Sequence, residues 1–447
     1  MQGEGKSAEV AQRPKQAEET GRMSWVEPCA WTPRMLAALQ NGVQGGVWFS
    51  LIDKVYAQKN LEAAFKRVSK NQGAAGVDHV TVEEYERKLG ENLRQVSEEL
   101  QQGQYRPQAI RRQYIDKPGS QEKRPLGIPT VRDRTVQTAL RQVIEPIFEK
   151  TFAECSYGFR PGRGCKDALE EVNRLLEEGS QYVVDTDIKS YFDTIPHEKL
   201  LAKVRERVAD ARVIELVRQF LNQRVLDDLK EWVPEEGTPQ GAVISPLLAN
   251  IYLNELDHEI TKAGFAMVRY ADDLVILSAS AEQAEQAMAY LKAWIEGAGL
   301  TLHPTKTRIV DMTLPKASFD FLGYTFLRTK KGKLIRLPRT KSLRRFKDGA
   351  RQLTKRANGN SIWVIIDRLN PKLRGWYEYF QYCCHTVFED MDGWLRMRLR
   401  SILRKRRGLR GRAIGFDNQR WPDCYFAVRG LFSMTAEHET PRQSTLW

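Results

Sequence analysis

Val268-Arg-Tyr-Ala-Asp-Asp-Leu-Val-Ile-Leu277 sets two consecutive aspartates between two stretches of strand length. The segment predicts a β-hairpin with Asp272 and Asp273 at its tip. Carboxylates held against apolar strands without partners are costly, so two side by side call for cations. Taken alone, Tyr270-Ala-Asp-Asp273 is equally well an ordinary surface turn.

A second segment decides between these readings. In Tyr182-Val-Val-Asp-Thr-Asp-Ile-Lys-Ser-Tyr-Phe-Asp193 a β-branched run ends in Asp187. Nucleotidyl transfer needs one metal to lower the pKa of a 3′-hydroxyl and another for the triphosphate and leaving group. Hard Mg²⁺ is held by a few carboxylates plus substrate oxygens, and aspartates on adjacent strand ends supply them. Asp187, Asp272 and Asp273 are therefore the candidate catalytic set, and with Ile188 the candidate metal set, for two Mg²⁺ ions. Asp185 shares the strand face of Asp187 and ranks below it as a supporting group, as does Asp193.

Further pieces fit the same chemistry. Thr238-Pro-Gln-Gly-Ala-Val-Ile-Ser-Pro246 is a turn-rich loop leading into a helix, where Gln240 can touch an incoming nucleotide. Lys117 and Arg124, among the turns around Gly119, Pro125 and Gly127, offer cations for a triphosphate. Phe192 follows Asp187 closely enough for its ring to lie under a nucleotide sugar. Ile188 and Lys306 complete the candidate nucleotide contacts.

Around these segments the chain alternates helical and strand-like patterns from about 50 to 327. Helices are predicted after Thr130 and after Ser280, the second with Gln283 as a capping-box partner, an apolar face of Ala284, Ala287, Met288, Leu291, Trp294 and Ile295, and an end at Gly297 and Gly299. Strands are predicted over Tyr182–Ile188, Phe265–Tyr270, Leu274–Ser278 and Phe319–Phe326. After about 335 the pattern turns basic and helical with interleaved aromatics. The class is α+β, with an all-helical appendage.

The 447 residues carry a net charge of +13. Arg328 to Arg412 holds 25 Lys and Arg against 6 Asp and Glu, so the rest of the chain is net negative. Charge gathered in one block favours a phosphate-binding face over a solvated surface, where signs intersperse. The six cysteines form no CxxC pair and no zinc spacing, and a reducing compartment is expected. Adjacent Cys383 and Cys384 read as core residues of an aromatic helix. No N-terminal apolar h-region and no run of about 18 apolar residues appears, so neither secretion nor membrane spanning is expected, and residues 1–24 read as a disordered leader.

These residues together resemble the reverse transcriptases encoded by bacterial group II introns. The resemblance runs through Asn71-Gln-Gly-Ala-Ala-Gly-Val-Asp78, Arg124-Pro-Leu-Gly-Ile-Pro-Thr130, Ser156-Tyr-Gly-Phe-Arg-Pro-Gly162, Asp187–Asp193, Pro239-Gln-Gly241, Arg269–Asp273, Lys306-Thr307 and Phe321-Leu-Gly323. It implies a right-hand polymerase, with an N-terminal extension and fingers over 25–180 and a palm over 181–328. A basic helical thumb and maturase domain over 335–430, around Asn370-Pro-Lys-Leu-Arg-Gly-Trp376, and a tail over 431–447 follow. Asp187, Asp272 and Asp273 map onto the metal triad, Phe192 onto the residue that excludes a ribose 2′-hydroxyl, and Gln240 onto a nucleotide contact. The implied partners are group II intron RNA, an RNA template with a DNA primer, dNTPs and target DNA, in a bacterial cytoplasmic ribonucleoprotein, with neither membrane nor zinc. The candidate RNA-binding residues are Arg344, Arg345, Lys372, Arg374, Arg404, Lys405, Arg406 and Arg407. Some members carry a Cys- and His-containing endonuclease; this chain reaches Trp447 without that cluster, and a primer from another source, such as a nascent strand, is the expectation.

Two alternatives stay open: an RNA-binding protein that keeps the fold without catalysis, and a reverse transcriptase of the retron, diversity-generating or CRISPR-associated kind. Neutralising several of Arg404, Lys405, Arg406 and Arg407 is expected to weaken RNA affinity and flatten its salt dependence. The slope should fall by about 0.7–0.9 for each phosphate that is no longer neutralised, and an unchanged slope in titrations against salt would remove this patch from the binding face.

Overall fold

The computed structural model describes residues 23–116, 123–227 and 230–440. Its strands in chain order are β1 (Ile110–Asp116), β2 (Lys123–Ile128), β3 (Tyr182–Asp187), β4 (Val225–Asp227), β5 (Lys230–Trp232) and β6 (Ala266–Tyr270). They continue with β7 (Asp273–Ser278), β8 (Arg308–Asp311), β9 (Ser318–Phe321), β10 (Tyr324–Arg328) and β11 (Leu334–Pro338). Three sheets result, ordered β2-β1-β4-β5, β6-β7-β3-β8 and β11-β10-β9.

The antiparallel sheet β6-β7-β3-β8 organises the molecule because both of its faces are apolar. On one face Val184, Met267, Leu274 and Ile276 join the larger core, shared with helices Val131–Glu149, Ser245–Lys262 and Ala281–Gly297. On the other, Val183, Val268, Val275, Leu277 and Val310 join a second core. Alternate residues of a strand point to opposite sides, so one β-branched run serves two cores.

Local signals start the helices. The Thr130 hydroxyl accepts from the Asp133 amide (3.1 Å) and begins Val131–Glu149. Ser280 does the same for Gln283 (3.3 Å) at the head of Ala281–Gly297. The Gln283 side chain returns to the Ala279 amide (3.3 Å), so the expected reciprocal bond to Ser280 is displaced by one residue. Ala284, Ala287, Met288, Leu291 and Ile295 are buried, and Trp294 packs partly exposed beside them.

Several expectations change. Phe319–Phe326 is not one strand but the hairpin β9–β10, with Tyr324 opposite Phe321. Its two-residue turn has Leu322 at φ 47° and Gly323 at φ 78°, the positive pair that a tight hairpin demands. A leucine in that conformation hides the turn inside an apolar alternation. Leu334–Pro338 is also a strand, paired along β10, so the helical end begins at Thr340 instead of near 335. Cys383 is buried, and it and Cys384 lie in the turn between helices Ile362–Phe380 and His385–Arg406 instead of inside a helix.

Nor is the helical end a separate appendage. The second core runs from Val183 and Val275 through Phe319, Phe321, Tyr324 and Phe326 to Phe346, Leu373, Tyr377 and Phe388. Helix Cys165–Glu177 packs on the same side through Ala168, Leu169, Val172 and Leu176. A third, smaller core of Ile362, Ile366, Leu399, Ile402, Trp421 and Phe426 lies further out. No helix among the described residues is long and apolar enough to cross a membrane.

Phe319 and Phe326 stack at 5.0 Å inside the shared core. Phe326→Ala is expected to cost about 3–5 kcal/mol. It should lower the melting of the sheet and the helical end together, so separate calorimetric transitions for the two would contradict a common core.

Candidate active site

The hairpin β6–β7 pairs Tyr270 with Asp273, leaving Ala271 and Asp272 as the turn. Ala271 sits at φ 58°, a left-handed conformation unfavourable to residues with a Cβ. What holds it lies underneath. Arg269 is fully buried and donates from Nε to Asp257 Oδ1 (2.6 Å), while Nη2 bonds the other Asp257 oxygen. Its Nη1 reaches both Asn250 Oδ1 (2.9 Å) and the Ala271 carbonyl (2.9 Å). Nη2 also reaches Ser156 Oγ (2.8 Å). Asn250 in turn donates to the Gly158 carbonyl (2.7 Å). A Cβ on Gly158 would meet the Ala271 nitrogen at 2.4 Å, so only glycine lets this segment press on the turn.

β3 runs alongside β7 in antiparallel register, which makes Asp187 and Asp273 direct cross-strand partners. Asp272 is next in the chain, and the three carboxylates line one recess of about 480 Å³ with Asp185, Thr305, Lys306, Arg308 and Asp320. Burial, followed by the neighbouring charges of Asp272, Asp185 and Asp187, pushes the Asp273 carboxyl up to about 7. Burial and Asp187 also raise Asp272. Two cations partly answer this crowding. Lys306 Nζ lies 2.5 Å from Asp187 Oδ2, and Arg308 Nε lies 3.4 Å from Asp185 Oδ2. The Leu322 amide approaches Asp273 Oδ2 at 3.4 Å. Sequence reasoning had not assigned Arg308, Leu322 or the Asp320–Arg339 pair (2.8 Å) to this recess, since nothing local marks them.

A second recess gathers Phe192, Asp193 and Gln240 with Arg112, Gly127 and Trp232. The Gln240 amide nitrogen donates to Asp193 Oδ2 (3.0 Å). Backbone bonds dock this loop on two sides: Thr238 N to the Phe192 carbonyl (2.6 Å), and Gly127 N to the Gln240 carbonyl (2.6 Å). Gly241 has φ 105°, and a Cβ there would meet the Gly127 carbonyl oxygen at 2.4 Å. Arg124 is exposed on β2, and its charge acts on both Asp193 and Asp272. Ile188 buries its side chain in the larger core, so it can serve the site only through its backbone. Lys117 lies outside the described residues.

The basic candidates divide by what they touch. Arg344, Arg345, Lys372, Arg374, Lys405, Arg406 and Arg407 are exposed. Arg374 lies 4.5 Å over the Phe432 ring, and Arg406 donates to the Asn360 carbonyl. Arg404 is mostly covered and bonds Asp417 Oδ2 (2.9 Å) and the Arg410 carbonyl (3.0 Å). Its charge is therefore spent within the protein.

Does the acidic recess fit a divalent ion? Its donors are hard carboxylate oxygens, and the acids Asp185, Asp187, Asp272, Asp273 and Asp320 outnumber the cations Lys306, Arg308 and Arg339 there. Among the described residues no three acidic, His or Cys side chains converge tightly enough to grip an ion unaided. Mg²⁺ would take one or two of these carboxylates and complete its shell from substrate and water.

Comparison with known proteins places the chain. The family described as reverse transcriptase (RNA-dependent DNA polymerase) matches residues 115–326, and the group II intron maturase-specific domain matches residues 343–415. Group II intron-encoded protein LtrA of Lactococcus lactis subsp. cremoris is 38% identical over 196 residues, 43% of this chain and 32% of that protein. The chain thus matches about a third of the length of that relative. Protein YkfC of Escherichia coli (strain K12) is 35% identical over 301 residues, 59% of this chain and 78% of that protein. A chain of a solved partial Cas6-RT-Cas1–Cas2 complex aligns with TM-score 0.37 and 24% identity, over 55% of this chain and 42% of that one. With the two matches in series and these relatives, the chain belongs to the group II intron reverse transcriptase and maturase family.

Proposed function

We propose that this chain is an RNA-directed DNA polymerase that also binds a group II intron RNA and assists its splicing and retromobility. The observation that carries the reading is the cross-strand pairing of Asp187 with Asp273 beside Asp272, three acids lining one recess in which acids outnumber cations. Asp187, Asp272 and Asp273, with the Ile188 backbone, would hold two Mg²⁺ ions. When bound, these would ease deprotonation of a primer 3′-hydroxyl and offset charge on the triphosphate and its leaving group.

The chain's own groups do the positioning. Phe192, which shares a recess with Gln240, would lie under a nucleotide sugar and meet a 2′-hydroxyl. Gln240 is held by Asp193 through its amide nitrogen, which leaves its carbonyl oxygen to accept from a nucleotide. Arg124, together with Lys117, supplies cations for the phosphates. Lys306 Nζ lies 2.5 Å from Asp187 Oδ2, and its ammonium would be a further cation for the phosphates.

The exposed cations of the helical end suit a structured RNA whose backbone they would neutralise. The substrates are dNTPs on an RNA template with a DNA primer, and target DNA is the mobility partner. The site of action is the bacterial cytoplasm, as a ribonucleoprotein. A protein that only bound RNA would gain nothing from keeping three carboxylates crowded together, which favours the enzyme.

Asp272→Asn should abolish primer extension on an RNA template with Mg²⁺, by about 10³-fold or more, with affinity for intron RNA nearly unchanged. Normal cDNA synthesis by that variant would defeat the assignment. A second expectation follows from Asp273. Its folded-state pKa is raised, so the unfolded chain releases this proton first. The resulting loss of stability is absent below about pH 4, grows up to about pH 7 and is complete above it. Mg²⁺ should therefore raise the melting temperature more at pH 8 than at pH 5.5, and Asp273→Asn should flatten that difference. Equal gains at both pH values would show that Asp273 does not meet the ion.

A further inference from the structure

The outer end of the helical domain exposes aromatic rings that folding alone would bury. Trp363 is 55% exposed and Phe416 is 62% exposed. They are not leftovers of a poor core, because the small core beneath them already encloses Ile362, Trp421 and Phe426. Each ring has an arginine near its face: Arg429, seated 3.5 Å over Tyr425, lies 5.5 Å from the Trp363 centroid, and Arg420, 5.9 Å from Trp421, lies 5.4 Å from that of Phe416. The two sites flank the end of helix His385–Arg406. Arg406 donates to the Asn360 carbonyl on the Trp363 side, and Arg404 bonds Asp417, next to Phe416.

Charge selects the partner. Between Arg400 and Arg429 there are nine Lys and Arg and two acids. Both acids are already engaged, Asp417 by Arg404 and Asp423 by Arg396 and Arg400. No carboxylate among the described residues pairs with Lys405, Arg407, Arg410 or Arg412. A protein partner would have to bring a dense acidic face, whereas a polynucleotide brings one by nature. Duplex RNA offers phosphates but keeps its bases stacked inside. Exposed rings beside arginines are useful only to bases that have left a helix.

We propose that Trp363 and Phe416, with Arg429 and Arg420, form a stacking platform for unpaired RNA nucleotides at the far end of the helical domain. The platform deepens the RNA-holding part of the proposed function and rests on it. It assigns loops and single strands to this end, with Lys405, Arg407, Arg410 and Arg412 taking the flanking phosphates.

The test uses the full chain and two probes, an unstructured RNA of about 20 nucleotides and a blunt RNA duplex of the same length, titrated by fluorescence anisotropy. Trp363→Ala and Phe416→Ala should each weaken single-strand binding by roughly ten-fold, while duplex affinity and the salt slope stay as in the wild type. Trp363→Phe should retain most of the affinity, since it keeps a ring. Both residues are surface groups, and unchanged melting would confirm that the variants fold. Binding of both probes unaltered by the alanine variants would overturn the platform alone. Failure of the wild-type chain to bind either probe would overturn the RNA-holding reading and the platform with it. A change in RNA-free molecular mass on Trp363→Ala would mark the patch as an interface between copies, and would also overturn the proposal.

Discussion

The turn that carries Asp272 stands on one buried ion pair. Arg269 and Asp257 are both fully enclosed, and burial by itself would drive the proton from the guanidinium; Asp257 outweighs it and holds the charge. Such a pair stabilises little relative to an apolar filling, but losing one partner leaves an orphaned charge and costs about 3–5 kcal/mol. What the pair contributes is position. Through Arg269, helix Ser245–Lys262, the Ser156 segment and the Ala271 carbonyl are tied to a common point, and Ala271 is kept in a conformation that it would otherwise avoid. Asp272 and Asp273 follow directly from that residue. The carboxylates face one another because a cation beneath them cannot move.

This arrangement explains which features the residues announced and which they concealed. Hairpin and acids were readable because strand alternation and a two-residue turn are local events, and so were the caps at Thr130 and Ser280. Lys306 meets Asp187 across 119 positions, and Ser156 meets Arg269 across 113. No local pattern encodes such distances. The Leu322-Gly323 turn was hidden for another reason. Its leucine occupies a left-handed conformation that side-chain chemistry disfavours, and the apolar residues on both sides continue the strand rhythm. Strain of that kind is tolerated where surrounding structure over-determines it, and Leu322 sits against Asp273.

The basic block was visible as composition, yet composition alone could not rank its members. Arg404 stood in a run of four cations as the equal of its neighbours. Folding spends it on Asp417 and leaves Lys405 and Arg407 facing outward. The exposed aromatics were equally hard to foresee, because helical spacing does not distinguish a ring that enters a core from one that faces solvent.

A shared core carries a mechanical consequence. Tyr379, on the helix that bears the Arg-Gly-Trp segment, donates to the Leu322 carbonyl (2.8 Å), and the Leu322 amide in turn approaches Asp273. Tyr324, on the next strand, donates to the Tyr379 carbonyl. The helix is thus joined to the acidic recess by two hydrogen bonds and one tight turn. Packed cores transmit displacement because they are dense and compress little. An RNA that displaced this helix would move Leu322 against Asp273, unless the core absorbed the change. A single apolar core runs between this helix and the acidic recess, so holding an RNA and shaping that recess would be constraints on one body.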